Sequence, residues 1–125
     1  MYDLTVILPN TPGTLATMGE ALAGAGINVE GGCAISNGSE TVMHVLVDDA
    51  LKARNTLESA GFLVKEEYPA ISFYVSGDDR PGILARYARR IADAGVNIER
   101  TYLATGSRLA FVTDDNGKAR AAIRA

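Results

Sequence analysis

Leu4, Val6 and Leu8 alternate with Asp3, Thr5 and Ile7, a period of two that predicts a strand with one strongly buried face. Pro9 and Pro12 stop it. Leu15, Met18, Leu22 and Ala25 then recur at helical spacing, which predicts a helix with Thr11 as its N-cap, Pro12 in its first turn and Gly26 closing it. Residues 27–35 read as a second strand, Asn37 and Gly38 as a hairpin turn, and residues 41–47 as a third strand. Asp48 or Asp49 caps a helix running to Ala60, Gly61 ends it, and Phe62 to Tyr68 forms a fourth strand. The order strand, helix, strand, strand, helix, strand predicts a four-stranded antiparallel sheet with both helices on one face.

The pattern then starts again. Pro12 and Gly13 return as Pro81 and Gly82, Leu15 and Ala16 as Leu84 and Ala85, and Ala25, Gly26, Asn28 and Glu30 as Ala94, Gly95, Asn97 and Glu99. Asp48, Asp49, Lys52, Ala53 and Arg54 return as Asp114, Asp115, Lys118, Ala119 and Arg120. Two copies are too few for a solenoid and indicate a pair of similar small domains. The second copy reads as strand 71–76, helix 81–94, strand 96–104, turn 105–107, strand 108–113 and helix 115–124. The fold class is therefore α+β: two tandem ferredoxin-like βαββαβ units, 1–68 and 70–125, the second lacking its own last strand. Its first strand, 71–76, then has an open edge. Either strand 62–68 turns back through Pro69 and Ala70 to serve the second unit, or the edges of two chains pair and make a homodimer.

Composition narrows the function. The 125 residues carry a net charge of −3, and no basic stripe with interleaved aromatics is present, so the electrostatic term that dominates nucleic-acid affinity is missing. Arg86, Arg89 and Arg90 read as a solvated helix face offset by Asp78, Asp79 and Asp93. No apolar run approaches the roughly 20 residues that span a bilayer. The N-terminus shows no basic region ahead of an apolar stretch, and a single cysteine, Cys33, precludes an internal disulfide. Both point to a cytoplasmic protein with no membrane partner.

Catalytic constellations are thin. A two-residue turn of Gly38 and Ser39 would set Cys33 opposite His44, but the same-face neighbours Gly31, Ile35, Val42 and Leu46 offer nothing to orient the imidazole. A packed cysteine and a strand histidine are the expectation. One His and one Cys do not build an ordinary structural zinc site. The aspartate pairs 48/49 and 114/115 open helices, where carboxylates cap. Gly19, Gly24 and Gly26 match neither the dinucleotide fingerprint nor the phosphate loop. The sequence therefore predicts no enzyme, no metal and no cofactor.

The segment DDRPGIL, followed by a helix and then GVNIERTYLATGS, resembles the ACT domain, a small ligand-sensing module of amino-acid metabolism. The match is closest to its forms in phosphoglycerate dehydrogenase and in acetohydroxyacid synthase regulatory subunits. LPNTPGTL followed by AGINVEG is a weaker version of the same pattern. Physically, the loop delivers the chain to a helix N-terminus, where unpaired N–H groups favour an anion such as an α-carboxylate, and Gly13 and Gly82 allow close approach. The resemblance implies a ligand held between this loop of one unit and the loop or second strand of its neighbour, at an ACT–ACT interface. It carries two polar contacts onto Asn10 and Asn28 in the first unit, and onto Asp79 and Asn97 in the second. Flanking positions are Thr11, Thr14, Leu15 and Val29, and Arg80, Ile83, Leu84 and Ile98. Leu8 and Gly77 stand where the family has a further polar residue, which argues against serine as the ligand. An ionised Asp79 only accepts hydrogen bonds and repels a carboxylate, so the two sites should be unequal. The expected protein is a stand-alone tandem ACT homodimer that binds an amino acid or similar metabolite and signals to a metabolic enzyme or regulator. The alternative is a regulatory subunit that acts by protein contact without its own ligand.

Overall fold

A computed structural model describes all of residues 1–125, and the chain divides into two compact units, Met1–Tyr68 and Pro69–Ala125. Unit 1 runs β1 (Tyr2–Pro9), α1 (Thr14–Gly24), β2 (Gly31–Asn37), β3 (Glu40–Val47), α2 (Ala50–Ser59) and β4 (Leu63–Pro69). Its strands lie in the order β4-β1-β3-β2, with β3 antiparallel to both β1 and β2. Leu4, Val6 and Leu8 are buried against Met18 and Leu22 of α1 and Ala53 and Leu57 of α2, so the alternation in β1 becomes the core. Gly26 adopts φ 73° just past α1, and Gly26 N–H and Ile27 N–H return to Ala23 O and Leu22 O, a left-handed helix stop.

Unit 2 runs β5 (Ile71–Tyr74), α3 (Ile83–Asp93), β6 (Ile98–Ala104), β7 (Arg108–Thr113) and α4 (Asn116–Arg124). Its strands lie in the order β6-β7-β5. Ile71, Val75, Ile91, Leu109 and Phe111 form its core. Phe73 adds an edge-on contact with Tyr87, ring centroids 5.8 Å apart. Asp49 and Asp115 cap α2 and α4, accepting from Lys52 N–H and Lys118 N–H at 3.0 Å in each case. No helix is long and apolar enough to cross a membrane.

Three local expectations are corrected. The fourth strand sits beside β1, so it completes unit 1 and does not serve unit 2. The second strand begins at Gly31, not at residue 27, because Ile27 and Val29 reach the core from a segment outside the ladder. Thr11 is not the cap of α1. Thr14 N–H closes back on Thr11 O at 3.4 Å, and Gly13 at φ 88° and ψ −12° occupies the third position of a type II turn with Pro12 ahead of it. Unit 2 repeats this turn with Gly82 at φ 95°. Proline sets the first corner and glycine alone enters the second without strain, so Pro-Gly makes a turn before the helix instead of its first residue.

Candidate functional site

In unit 1 the β1–α1 loop is tied to the β2–β3 hairpin. Asn10 N–H donates to Ser39 O at 2.9 Å, Asn10 Nδ2 donates to Gly38 O at 2.8 Å, and Ser36 Oγ donates to Asn10 Oδ1 at 3.3 Å. The hydroxyl pairs Ser36–Thr41 and Thr11–Thr14 stand at 2.7 and 2.8 Å. Between loop and hairpin lies a cavity of about 220 Å³, with Asn10, Thr11, Thr14, Ser36 and Thr41 as its polar wall and Leu8, Leu15 and Ala34 as its apolar wall. No charged side chain lines it. Helix geometry leaves Leu15 N–H and Ala16 N–H without an acceptor inside α1, because the first helical bond runs from Thr17 N–H to Gly13 O. The loop therefore offers neutral donors and acceptors beside a positive helix end. Ser36 and Thr41 escaped the sequence reading, since only the hairpin's register brings them to Asn10.

Asn28 belongs to a different place. It lines a cavity of about 230 Å³ with Glu30, Asp48, Asp49 and Lys52, at the end of β2 remote from the hairpin. A strand of that length separates Asn28 from Asn10 by roughly 20 Å. Within unit 1 the two asparagines do not meet.

The corresponding loop of unit 2 is built on charge. Asp78 pairs with Arg80 at 2.7 Å and with Arg86 at 3.2 Å, and its N–H donates to Val75 O at 2.8 Å. Asp79, the residue the motif singles out, is exposed and takes no part. Ile83 N–H closes on Arg80 O at 3.2 Å, while Leu84 is half-exposed. Asn97 stands apart from this loop. Its N–H donates to Asp114 Oδ1 at 3.0 Å, and with Ile98, Val96, Arg89 and the alanines of α3 it lines a groove of about 390 Å³. The Arg86–Arg89–Arg90 face is thus divided: Arg86 holds Asp78, Arg90 donates to Ile123 O at 3.1 Å, and Arg89 borders the groove.

The hairpin turns on Gly38 and Ser39, not on Asn37 and Gly38, and that register sets Cys33 and His44 opposite each other across β2 and β3. The expectation that nothing orients the imidazole is corrected. Asp3, fully buried on β1, lies 3.1 Å from His44 Nδ1, and Thr5 Oγ1 lies 3.4 Å from the same atom. The orienting group comes from the strand beyond His44, not from the hairpin itself. Yet burial pushes the Cys33 thiol up, and the negative charge of Asp3 adds to the effect, so the environment holds the sulfur protonated. That is opposite to an activated nucleophile. No group of three or more His, Cys, Asp or Glu side chains is placed to hold a metal ion.

A βαββαβ unit followed by a βαββα unit, each with a Pro-Gly turn delivering a strand to a helix N-terminus, is an arrangement of the ACT fold. No family model and no curated protein sequence matches the chain. Solved structures do. A Bacteroides thetaiotaomicron protein superposes with a TM-score of 0.76 at 25% identity, over 98% of this chain and 85% of its own. The regulatory subunit of aspartate kinase from Thermus thermophilus, in ligand-free form, gives 0.74 at 25% identity, over 98% of this chain and 87% of its own. Aspartokinase alpha and beta subunits share the fold at 20% identity, with a TM-score of 0.69. The aspartate kinase regulatory subunits are ACT-domain proteins, and the present chain shares their fold.

Proposed function

We propose that this chain is a regulatory tandem ACT protein without catalytic activity of its own, which binds an amino acid or similar small metabolite and signals its level to an enzyme or regulator of amino-acid metabolism in the cytoplasm. The observation that carries this reading is the uncharged, hydroxyl-lined cavity at the N-terminus of α1. A ligand's α-carboxylate would meet the free N–H groups of Leu15 and Ala16, and its neutral portion would meet Thr11, Thr14, Ser36 and Thr41. Asn28 and Asn97, at the other ends of their units, would contribute where a second ACT unit faces the loop. Similarity to aspartate kinase regulatory subunits supports the regulatory role.

A signal requires that ligand bind one state of the protein more tightly than another. The Asn10 latch supplies a candidate pair of states: amide engaged with Gly38 O and Ser36, or released to the ligand. The raised Cys33 thiol counts against an enzymatic role.

A thermal-shift screen of the twenty amino acids tests the reading, since a ligand at 100-fold its dissociation constant stabilises by about 2.7 kcal/mol. The hit should weaken on Asn10→Ala and persist on Asp79→Ala. Binding that survives the first change and is lost in the second would reverse the ranking of the two sites. No shift with any amino acid would favour regulation by protein contact alone.

A further inference from the structure

Asparagine followed by glycine occurs twice in the chain, at Asn37–Gly38 and at Asn116–Gly117. This is the chemically least stable pairing that asparagine forms, because glycine, lacking a Cβ, leaves its backbone nitrogen unshielded from the neighbouring carboxamide. How firmly each carboxamide is held then decides whether it reacts.

The two are held very differently. Asn116 opens α4 with its side chain clamped at both ends: Oδ1 accepts from Thr113 N–H at 3.1 Å and from Thr113 Oγ1 at 2.7 Å, and Nδ2 donates to Pro69 O at 2.9 Å. All three bonds must break before its Cγ can turn toward Gly117. Asn37, the last residue of β2, is exposed, and no hydrogen bond holds its amide. Gly38 follows at φ 68° as the first residue of the two-residue turn, with nothing within 4 Å of the position a Cβ would take. The same turn carries the latch, since Gly38 O accepts from Asn10 Nδ2 and Ser39 O from Asn10 N–H. Main-chain geometry from residue 37 to residue 39 therefore sets whether Asn10 stays engaged.

We infer that Asn37 is a site of spontaneous covalent modification whose product releases the Asn10 latch. Gly38 N attacks Asn37 Cγ; the N–Cγ bond forms, the Cγ–Nδ2 bond breaks, and ammonia leaves carrying the Gly38 amide proton. Water then opens the cyclic imide at either carbonyl. Opening at Cγ gives aspartate on an unchanged main chain, whereas opening at the backbone carbonyl gives isoaspartate, in which the chain runs through Cβ and Cγ. The isoaspartyl link adds one carbon to the main chain, a displacement of roughly 1.5 Å. A hydrogen bond of 2.8 Å does not survive such a shift. The link also sets a carboxylate opposite Glu40, the ladder partner of Asn37, where like charges repel. The turn thus acts as a timer that opens the latch in one direction, and Asn116 is the stable comparison in the same molecule. The inference rests on the chemistry of the turn and is independent of the ligand reading above.

Incubation of the whole chain at mildly alkaline pH, followed by peptide mapping with mass spectrometry, tests it. Asn37 should convert on the order of tenfold faster than Asn116, or more, with isoaspartate as the main product. Gly38→Ala, which sets a Cβ beside the attacking nitrogen, should slow Asn37 by a similar factor. Amide hydrogen exchange reads the latch: Asn10 N–H should lose protection in the isoaspartyl form and keep it in Asn37→Asp, which carries the charge without the added carbon. Should Gly38→Ala lose its fold, the comparison of Asn37 with Asn116 in the unaltered chain decides. An Asn37 that converts no faster than Asn116 overturns the site. An isoaspartyl form with Asn10 N–H still protected, or an Asn37→Asp variant that loses the same protection, overturns release by the lengthened backbone.

Discussion

Gly32 sits in β2 beside the Cys33–His44 pair, and adding a single methyl group there should be the most damaging small change in unit 1. A Cβ built on this residue lies 2.1 Å from His44 O and 3.1 Å from His44 C, while φ is 150°. Contacts under about 3 Å must open, and the obstacle is backbone of the paired strand. β2 and β3 would have to part by close to 1 Å, or Gly32 would have to leave its conformation and break the register. Overpacking of this kind costs about 1–3 kcal/mol, and a strained backbone region about 1–3 more, so Gly32→Ala should lose about 3 kcal/mol or more. Gly38→Ala is the matched control: φ is also positive, at 68°, but nothing lies within 4 Å, and the cost should be about 1–2 kcal/mol. Urea unfolding followed by circular dichroism separates them. At an m-value of about 1 kcal/mol/M for a unit this small, Gly32→Ala should lower the midpoint by about 3 M or more, or unfold the unit outright. A Gly32→Ala midpoint equal to that of Gly38→Ala would refute the close-approach argument.

Asn10→Ala removes two hydrogen bonds between exposed groups, so it should cost about 1 kcal/mol of unit 1 stability by the same unfolding assay, and Ser36→Ala less. The paired aspartates should prove unequal: Asp49→Ala and Asp115→Ala lose a cap worth about 1 kcal/mol, whereas Asp48→Ala should stay within about 0.5 kcal/mol. Cys33 should alkylate with iodoacetamide more slowly than a free thiol at pH 8, its rate still climbing above the ordinary thiol range, because burial and Asp3 both disfavour the thiolate. A rate profile with a midpoint below that range would contradict the assigned environment.

Features carried by local pattern were legible in the sequence. The burial of Leu4, Val6 and Leu8, the stops at Gly26 and Gly61 and an aspartate cap at 48 or 49 each depend on a few adjacent residues and are where the pattern placed them. The turn read at Asn37 and Gly38 instead falls one residue later, on Gly38 and Ser39, and β1 buries Asp3 and Thr5 on its second face as well. Errors arose where distant segments decide the outcome. Ile27 and Val29 read as strand because they are apolar, but apolar positions report burial and not a ladder partner. The hairpin alone gives the imidazole of His44 no orienting group, because Asp3 is 41 positions away and reaches it across neighbouring strands. The candidate site shows the same division. The Pro-Gly turn and Asn10 could be read from the motif, while Ser36 and Thr41 join them only through pairing of β2 with β3, and Asp78 displaces Asp79 only through the reach of Arg80 and Arg86.

The placement of β4 beside β1 also sets an order of events in synthesis. All four strands of unit 1 lie within residues 2–69. Domains emerge N-terminus first at about 5–20 residues per second, slowly compared with the folding of units this small. Unit 1 can therefore close its ladder while unit 2 is still being made. The nascent chain carries a finished half ahead of an unfinished one, and the half that finishes first is the one whose outer strand bears Lys65, Glu66 and Glu67. On a polysome, where identical chains crowd together, β4 offers neighbouring copies a charged edge.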